Sequence, residues 1–244
     1  MKSKLLINNH SDELIIFMSG WGCDDKQFEA ITSKRDLMIF YDYDNLKIDF
    51  DFSKYRKFYL IAYSAGVFIS SLIIDKLPKV QLKISINGNI NLFDENLGLD
   101  EHILKIFRSI DVTNFLQFRE KYLCNSQEEL EIFNSHPCMR SAKSCNDELD
   151  ALQSYYDALV KDENFASRFI YDRMLISDSD KIFKYRYQKD YYSSLGKTEL
   201  YLIKNANHNV FSVHITDFDK VIDSNSDLYK EKLKPLSFHP WENL

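Results

Sequence analysis

The sequence predicts an α/β fold: a mostly parallel central sheet with helices on both faces and an inserted helical cap. Three observations carry that expectation. Over roughly the first ninety residues, short and continuously apolar runs alternate with helical stretches, the pattern of strands covered on both faces. Over residues 97–170 the strand signal disappears and the pattern turns helical, before strands resume at Arg173. Finally, the chain has only six glycines, and Gly20, Gly22, Gly66 and Gly88 stand at the ends of expected strands, where open α/β sheets place their ligands. The organisation expected is a core of residues 1–96 and 171–244 with a cap of residues 97–170.

In chain order, Leu5–Asn8 and Glu13–Ser19 read as strands, the second built on Leu14-Ile15-Ile16-Phe17-Met18. The link between them is too short for a crossover, so the two are expected to run antiparallel. Asp25–Ile31 reads as a short helix with Asp24 or Asp25 as its cap. Leu37–Tyr43 and Phe58–Ala62 are strands. Ala65–Leu77 is an apolar helix that stops near Pro78, because proline brings no N–H and clashes with the preceding turn. Leu82–Asn87 is the next strand. Asp100–Ile110, Val112–Cys124, Gln127–Phe133 and Glu148–Val160 read as the cap helices. The sheet pattern then returns as strand Arg173–Ser177, a helix over 184–194, strand Glu199–Lys204 and a helix from about Thr216. The tail after Asn225 is polar and carries prolines.

A chain of 244 residues suits one such core with an insertion. With 45% hydrophobic and 14% aromatic residues it can bury enough surface to offset chain entropy, which excludes disorder for most of its length. A net charge of −6 argues against general nucleic-acid binding, which needs a broad basic face. No apolar run approaches the roughly 18 residues of a membrane span. Near the start, Leu5-Leu6-Ile7 is too short for a signal peptide, so a cytoplasmic protein is expected. Cys23, Cys124, Cys138 and Cys145 form no C-x-x-C pair, and free thiols are expected. Cys138 and Cys145 with His136 lack a fourth ligand, and no metal is expected there.

The chemistry concentrates around Ser64. Phe58-Tyr59-Leu60-Ile61-Ala62-Tyr63-Ser64-Ala65-Gly66-Val67 is a strand, a serine and then a helix. A small-x-Ser-x-small string is common by itself; the strand before it and the helix after it make it a candidate nucleophile elbow. The turn presses the residues two before and two after the serine together, and Ala62 and Gly66 are small enough. Serine needs a base, and in an α/β-hydrolase fold the acid and then the histidine follow on loops after the last strands. Asp178-Ser179-Asp180-Lys181-Ile182-Phe183 and Asn205-Ala206-Asn207-His208 stand there, with 116 residues from Ser64 to Asp180 and 28 from Asp180 to His208. Asp180 is the expected acid because Ile182-Phe183 can dock its loop, while Asp178 caps the turn. His214 is the second candidate base, past the turn; His10, His102, His136 and His239 lie in the wrong segments. The backbone N–H groups of Trp21, in Gly20-Trp21-Gly22, and of Ala65 are the expected oxyanion hole. Trp21 also forms a wall of the acyl pocket.

Ser19-Gly20-Trp21-Gly22, Ala62-Tyr63-Ser64-Ala65-Gly66-Val67, Ser85-Ile86-Asn87-Gly88, Ser179-Asp180-Lys181-Ile182-Phe183 and His208 together resemble the BioG-type esterases of biotin synthesis. The resemblance covers nearly the whole chain in order. The Asn87-Gly88 step, and the lack of a histidine before Gly20, set it apart from the BioH-type hydrolases. Asn89 and Lys184 stand where the BioG-type pattern usually has Thr and often has Pro. The resemblance implies a pimeloyl-acyl-carrier-protein methyl ester esterase that works without metal or organic cofactor. Its expected partner is an acyl carrier protein, with no nucleic acid and no membrane involved, and a monomer is expected. Carrier proteins are acidic, so Lys105, Arg108, Arg119 and Lys121, on two successive cap helices of an acidic chain, are expected to contact the carrier. Ile103, Ile106, Phe107, Phe115, Leu116 and Phe118 are expected to line or roof the channel, Phe107 and Phe115 as substrate contacts. The residues alone also suit a generic short-chain carboxylesterase or thioesterase, or a non-catalytic binding module of the same fold.

Overall fold

The computed structural model describes residues 1–111, 113–162, 165, 171–195 and 198–236, apart from the side chains of Phe115 and Leu116. The apolar runs form β1 (Lys2–Ile7), β2 (Glu13–Met18), β3 (Asp36–Tyr41), β4 (Lys57–Tyr63), β5 (Leu82–Ile86), β6 (Arg173–Ser177), β7 (Glu199–Ile203) and β8 (Leu233–Pro235). They make one eight-stranded sheet in the order β1-β3-β2-β4-β5-β6-β7-β8. Neighbours are parallel except at the two edges, where β1 meets β3 and β7 meets β8. The first two strands do run in opposite directions, but β3 lies between them. The reason is in their side chains. Leu14 to Met18 are all fully buried, so β2 belongs inside a two-faced sheet, whereas β1 alternates exposed and half-buried residues and suits an edge.

Alternation along β2 sends Leu14, Ile16 and Met18 to one face and Ile15 and Phe17 to the other. The first face carries α1 (Ala65–Ile73), α6 (Tyr185–Leu195) and the cap. α1 tightens into a single narrower turn over Ile74–Lys76 ahead of Pro78. The second face is covered mostly by loops and short helical pieces. There Phe17 packs edge-on against Phe28, Phe211 and Phe218 at 4.9, 5.7 and 5.0 Å. The helix expected over Asp25–Ile31 is one turn, Lys26–Phe28, with Asp25 at the cap position but making no side-chain cap bond; Asp24 Oδ1 accepts the Lys26 N–H at 3.1 Å in the turn that leads into it. α7 (Phe218–Ile222) has five residues. The polar tail supplies β8, which the apolar pattern did not mark, since only Leu233 of its three residues is buried. Pro235 is tolerated because the strand is an edge.

Between β5 and β6 lie α2 (Glu101–Arg108), α3 (Phe115–Tyr122), α4 (Gln127–Ser135) and α5 (Ala142–Leu159), with no strand among the described residues. Three of the four start at a side-chain cap: Asp100, Ser126 and Ser141 accept the N–H of Ile103, Glu129 and Ser144, at the heads of α2, α4 and α5. Ser141 moves the start of α5 to Ala142, ahead of the expected Glu148. Val112, expected to open α3, and residue 170, the expected cap boundary, lie outside the described residues, as do His239 and Gly196. The cap is not a separate core. Phe107, Leu149 and Leu152 belong to one apolar cluster with Leu14, Leu60 and Phe68 of the sheet and α1. No described helix is long and apolar enough to cross a membrane.

Candidate active site

β4 ends at Tyr63 and α1 begins at Ala65, leaving Ser64 alone at the turn with φ 55° and ψ −126°. That left-handed backbone is costly for a side-chain-bearing residue, of order 1–3 kcal/mol, and persists only where neighbours enforce it. Gly66 and Gly88 enforce it by close approach. A Cβ on Gly66 would lie 2.3 Å from the Met18 carbonyl oxygen, and one on Gly88 2.4 Å from that of Ser64. Gly66→Ala and Gly88→Ala are therefore each expected to lose about 1–3 kcal/mol or more, because backbone cannot give way as a side chain can. Thermal unfolding of the two variants checks this, and unchanged midpoints would refute it.

Ser64, His208 and Asp180, from three separate loops, meet at the carboxyl ends of β4, β7 and β6. His208 Nε2 lies 2.9 Å from Ser64 Oγ, and its Nδ1 lies 3.0 and 3.1 Å from the two oxygens of Asp180. All three are buried. Asp180 Oδ1 also accepts the N–H groups of Ile182 and Phe183 at 2.8 and 2.9 Å, which aims the carboxylate, and Gln188 donates to Oδ2 at 3.3 Å. Asp178 is elsewhere: its oxygens hold the Asn205 N–H at 3.0 Å and the Ser179 hydroxyl at 3.0 Å, pinning the turn as expected of a cap. His214 lies away from the serine, 3.6 Å from Glu129, and its burial lowers its pKa below the ordinary imidazole value.

Two asparagines that sequence reasoning assigned no such role hold the histidine loop. Asn87, itself at φ 47°, donates to Ser177 Oγ and the His208 carbonyl and accepts the Ser177 N–H. Asn207 accepts the N–H groups of His208 and Lys181, joining the base loop to the acid loop. Its Nδ2 donates to the Cys124 carbonyl just after α3. Lys181 Nζ and the Asn209 N–H take the neighbouring carbonyls of Lys121 and Leu123 at 3.0 and 3.1 Å. The end of α3, where carbonyls lack partners within the helix, is thus capped by the loops that carry Asp180 and His208.

The N–H of Gly22 is committed to Glu148 at 2.9 Å. The N–H groups of Trp21 and Ala65 find no acceptor among the described residues, and both residues line the same cavity as Ser64. That cavity is partly continuous with solvent and lined mainly by apolar side chains, including Trp21, Phe107, Phe118, Leu149 and Leu152. Trp21 stacks on Phe107 at 4.3 Å and 20°. Ile103 is buried and Ile106 half-buried in the cluster beside the cavity, and neither lines it. The side chains of Phe115 and Leu116 lie outside the described residues.

The four basic residues do not form one face. Lys105, Arg108 and Lys121 are exposed, with Lys105 paired to Glu101 at 2.7 Å and Arg108 to Asp150 at 3.1 Å. Arg119 is 4% exposed and lines the cavity, its guanidinium 5.5 Å from the Phe133 ring, so it is withdrawn from the expected carrier contacts. Helical spacing puts it on one face with Tyr122 and Leu123, an inward signal that the sign of its charge does not carry. All four cysteines are free, and burial pushes the Cys124 and Cys145 thiols up to about 11 and Cys138 to about 12. Cys23, on the cavity wall, is raised well above the ordinary thiol value by the same cause, so none of the four is poised as a thiolate.

Comparison with known proteins bears on the fold and the family. A crystal structure of BioG from Haemophilus influenzae superposes with a TM-score of 0.79 at 25% identity, covering 91% of this chain and 100% of that one. An uncharacterised protein of the same species is 26% identical over 196 residues, 79% of this chain and 87% of its own. Likeness in fold extends to a bromoperoxidase from Bacillus anthracis, with a TM-score of 0.61, 15% identity and coverage of 87% and 91%. It extends also to a lipase-esterase related protein from Clostridium acetobutylicum, with a TM-score of 0.59, 17% identity and coverage of 88% and 94%. Both have the α/β-hydrolase fold described above. Residues 1–221 match the family described as pimeloyl-ACP methyl esterase BioG, and the chain belongs to that family.

Proposed function

We propose that this protein is a serine carboxylesterase that hydrolyses the methyl ester of pimeloyl-acyl-carrier protein, releasing methanol and the free-acid pimeloyl carrier protein for biotin synthesis. The observation that carries this reading is the hydrogen-bonded line Asp180–His208–Ser64 at an apolar cavity. Ser64 Oγ attacks the ester carbonyl while His208 Nε2 takes its proton. Asp180 accepts from Nδ1–H and steadies the imidazolium. The carbonyl oxygen, now an anion, is received by the N–H groups of Trp21 and Ala65. Collapse breaks the C–OCH₃ bond, His208 returns the proton, and methanol leaves. Water, deprotonated by His208, then attacks the acyl carbonyl; collapse breaks the C–Oγ bond, His208 returns the proton to Ser64, and the carboxylic acid leaves. The lining suits a chain of methylenes, with Trp21 and Phe107 as its walls. The helices α2–α5 act as a cap that roofs this chain.

The test is a comparison of kcat/KM for pimeloyl-carrier-protein methyl ester and p-nitrophenyl butyrate. The carrier-linked ester is expected to be favoured by at least about tenfold, the gain that remote binding energy readily supplies. Equal rates would indicate a generic short-chain esterase or thioesterase. No labelling by a fluorophosphonate probe would indicate a non-catalytic module.

Lys105, Arg108 and Lys121 are the proposed carrier contacts, through attraction to an acidic surface that salt screens. Arg108→Glu combined with Lys121→Glu is expected to raise KM for the carrier-linked ester several-fold and to leave p-nitrophenyl butyrate hydrolysis nearly unchanged. Equal effects on both substrates, or none on either, would place carrier docking elsewhere.

A further inference from the structure

Glu148 stands on the apolar stripe of α5, at helical spacing from Cys145, Leu149 and Leu152, and its side chain is fully buried. A carboxylate in that position is costly unless every oxygen is engaged. Both are. Oε2 accepts the Gly22 N–H at 2.9 Å and Arg140 Nη1 at 2.6 Å, and Oε1 accepts the Tyr43 N–H at 2.8 Å. Arg140, also buried, continues to Asp42 Oδ1 at 2.7 Å and to the Ser144 carbonyl at 2.9 Å. Burial pushes the Glu148 carboxyl above its ordinary value, and the Arg140 charge opposes that rise.

Two further bonds join the same loop to the cap. The Trp21 indole N–H donates to the Cys145 carbonyl at 2.7 Å, and the Cys138 thiol to the Gly22 carbonyl at 3.2 Å. The turn Gly20-Trp21-Gly22 is therefore suspended from the α5 side of the cap. Gly22 sits at φ 68°, and the Cys23 N–H closes the turn on the Gly20 carbonyl at 3.3 Å. That bond engages neither the Trp21 nor the Gly22 N–H, so the partner of the Gly22 N–H comes from outside the turn, from Glu148.

We propose that Glu148, held by Arg140, is a positioning residue: it binds the Gly22 N–H on the cap side and so leaves the Trp21 N–H aimed at the developing oxyanion. This rests on the esterase reading above, with Trp21 as an oxyanion donor. Arg140 has a second effect, neutralising a carboxylate that would otherwise oppose negative charge forming on the other side of the turn.

The test uses Glu148→Gln, which keeps the volume but replaces one acceptor oxygen with an NH₂ donor, and the milder Arg140→Lys. Each is assayed with p-nitrophenyl butyrate and with two inhibitors. One is 1,1,1-trifluoro-2-octanone: its carbon bonds to Ser64 Oγ, its C=O π pair becomes an oxyanion, and the serine proton passes to His208. The other is 2-octanol, which fills the cavity without forming an oxyanion. In Glu148→Gln, kcat/KM is expected to fall about 10- to 100-fold and the ketone Ki to rise in parallel, with the octanol Ki within about twofold of wild type. Arg140→Lys is expected to move the same quantities the same way by less. Ketone and octanol affinities that are both unchanged, or both weakened equally, would mean that the pair only braces the cap. If Glu148→Gln is insoluble, the same comparison in Arg140→Lys decides. A wild-type protein that hydrolyses no ester and binds no ketone overturns the esterase reading itself, and the positioning role with it.

Discussion

Replacing Ser64 with alanine is expected to abolish ester hydrolysis and to leave the fold unchanged. The hydroxyl is the attacking group, so its loss removes the covalent route and with it a factor on the order of 10⁴–10⁶ in kcat. The alanine keeps the Cβ that the elbow already accommodates, and circular dichroism is expected to match the wild type. Retention of more than about a tenth of wild-type kcat with an unchanged spectrum would end the assignment. Ser64→Gly separates strain from chemistry. At φ 55° and ψ −126°, removing the Cβ relieves about 1–3 kcal/mol of backbone strain, against roughly 0.4–1 kcal/mol of added unfolded-chain entropy. The glycine variant should therefore be as inactive as the alanine variant but at least as stable as the wild type. A clear fall in its melting temperature would contradict the account of the elbow.

The parallel middle of the sheet was legible because its strands are buried on both faces and announce themselves as unbroken apolar runs. The edges were less so. β8 buries Leu233 alone, too little to register as a pattern, and β1 gave its direction but not its partner, because pairing order depends on tertiary packing that β1 itself does not encode. The one-turn helix Lys26–Phe28 shows the same limit: Phe28 needs to reach Phe17, and a single turn suffices once the loop of Phe211 and the start of α7 at Phe218 come in from the far end of the chain.

Within the site, Ser64, Asp180 and His208 were readable because each sits directly after a strand, where position in the chain fixes position in space. Glu148, Arg140 and Asn207 belong to contacts between segments far apart in the chain, and charge or amide chemistry does not reveal such a partner. Periodicity did hold a clue. Glu148 falls on the stripe of Cys145, Leu149 and Leu152, and Arg119 on that of Tyr122 and Leu123, so a charge on an apolar stripe was the available sign of an inward-facing ion. Arg119 was instead grouped with the exposed Lys105, Arg108 and Lys121 by sign of charge, which says nothing about the face it occupies.

His208→Ala is expected to cost nearly as much as Ser64→Ala, since nucleophile and base act as one unit and either loss leaves only binding and the oxyanion donors. Asp180→Asn is expected to be severe as well, by on the order of 10⁴ in kcat, because an amide can turn its NH₂ toward Nδ1 and favour the wrong tautomer of the imidazole. Asp178→Asn should be mild, since that carboxylate touches the Asn205 N–H and Ser179 hydroxyl rather than the histidine. The contrast is the informative measurement: a larger loss in Asp178→Asn than in Asp180→Asn would move the acid one turn along the loop. The same geometry sets the sign of the pH dependence. Nε2 must be unprotonated to accept the Ser64 proton, so kcat/KM is expected to fall on the acid side as the imidazole takes up a proton, and not on the alkaline side through this group. A kcat/KM that stayed level from about pH 9 down to about pH 5 would show that no such unprotonated base takes part.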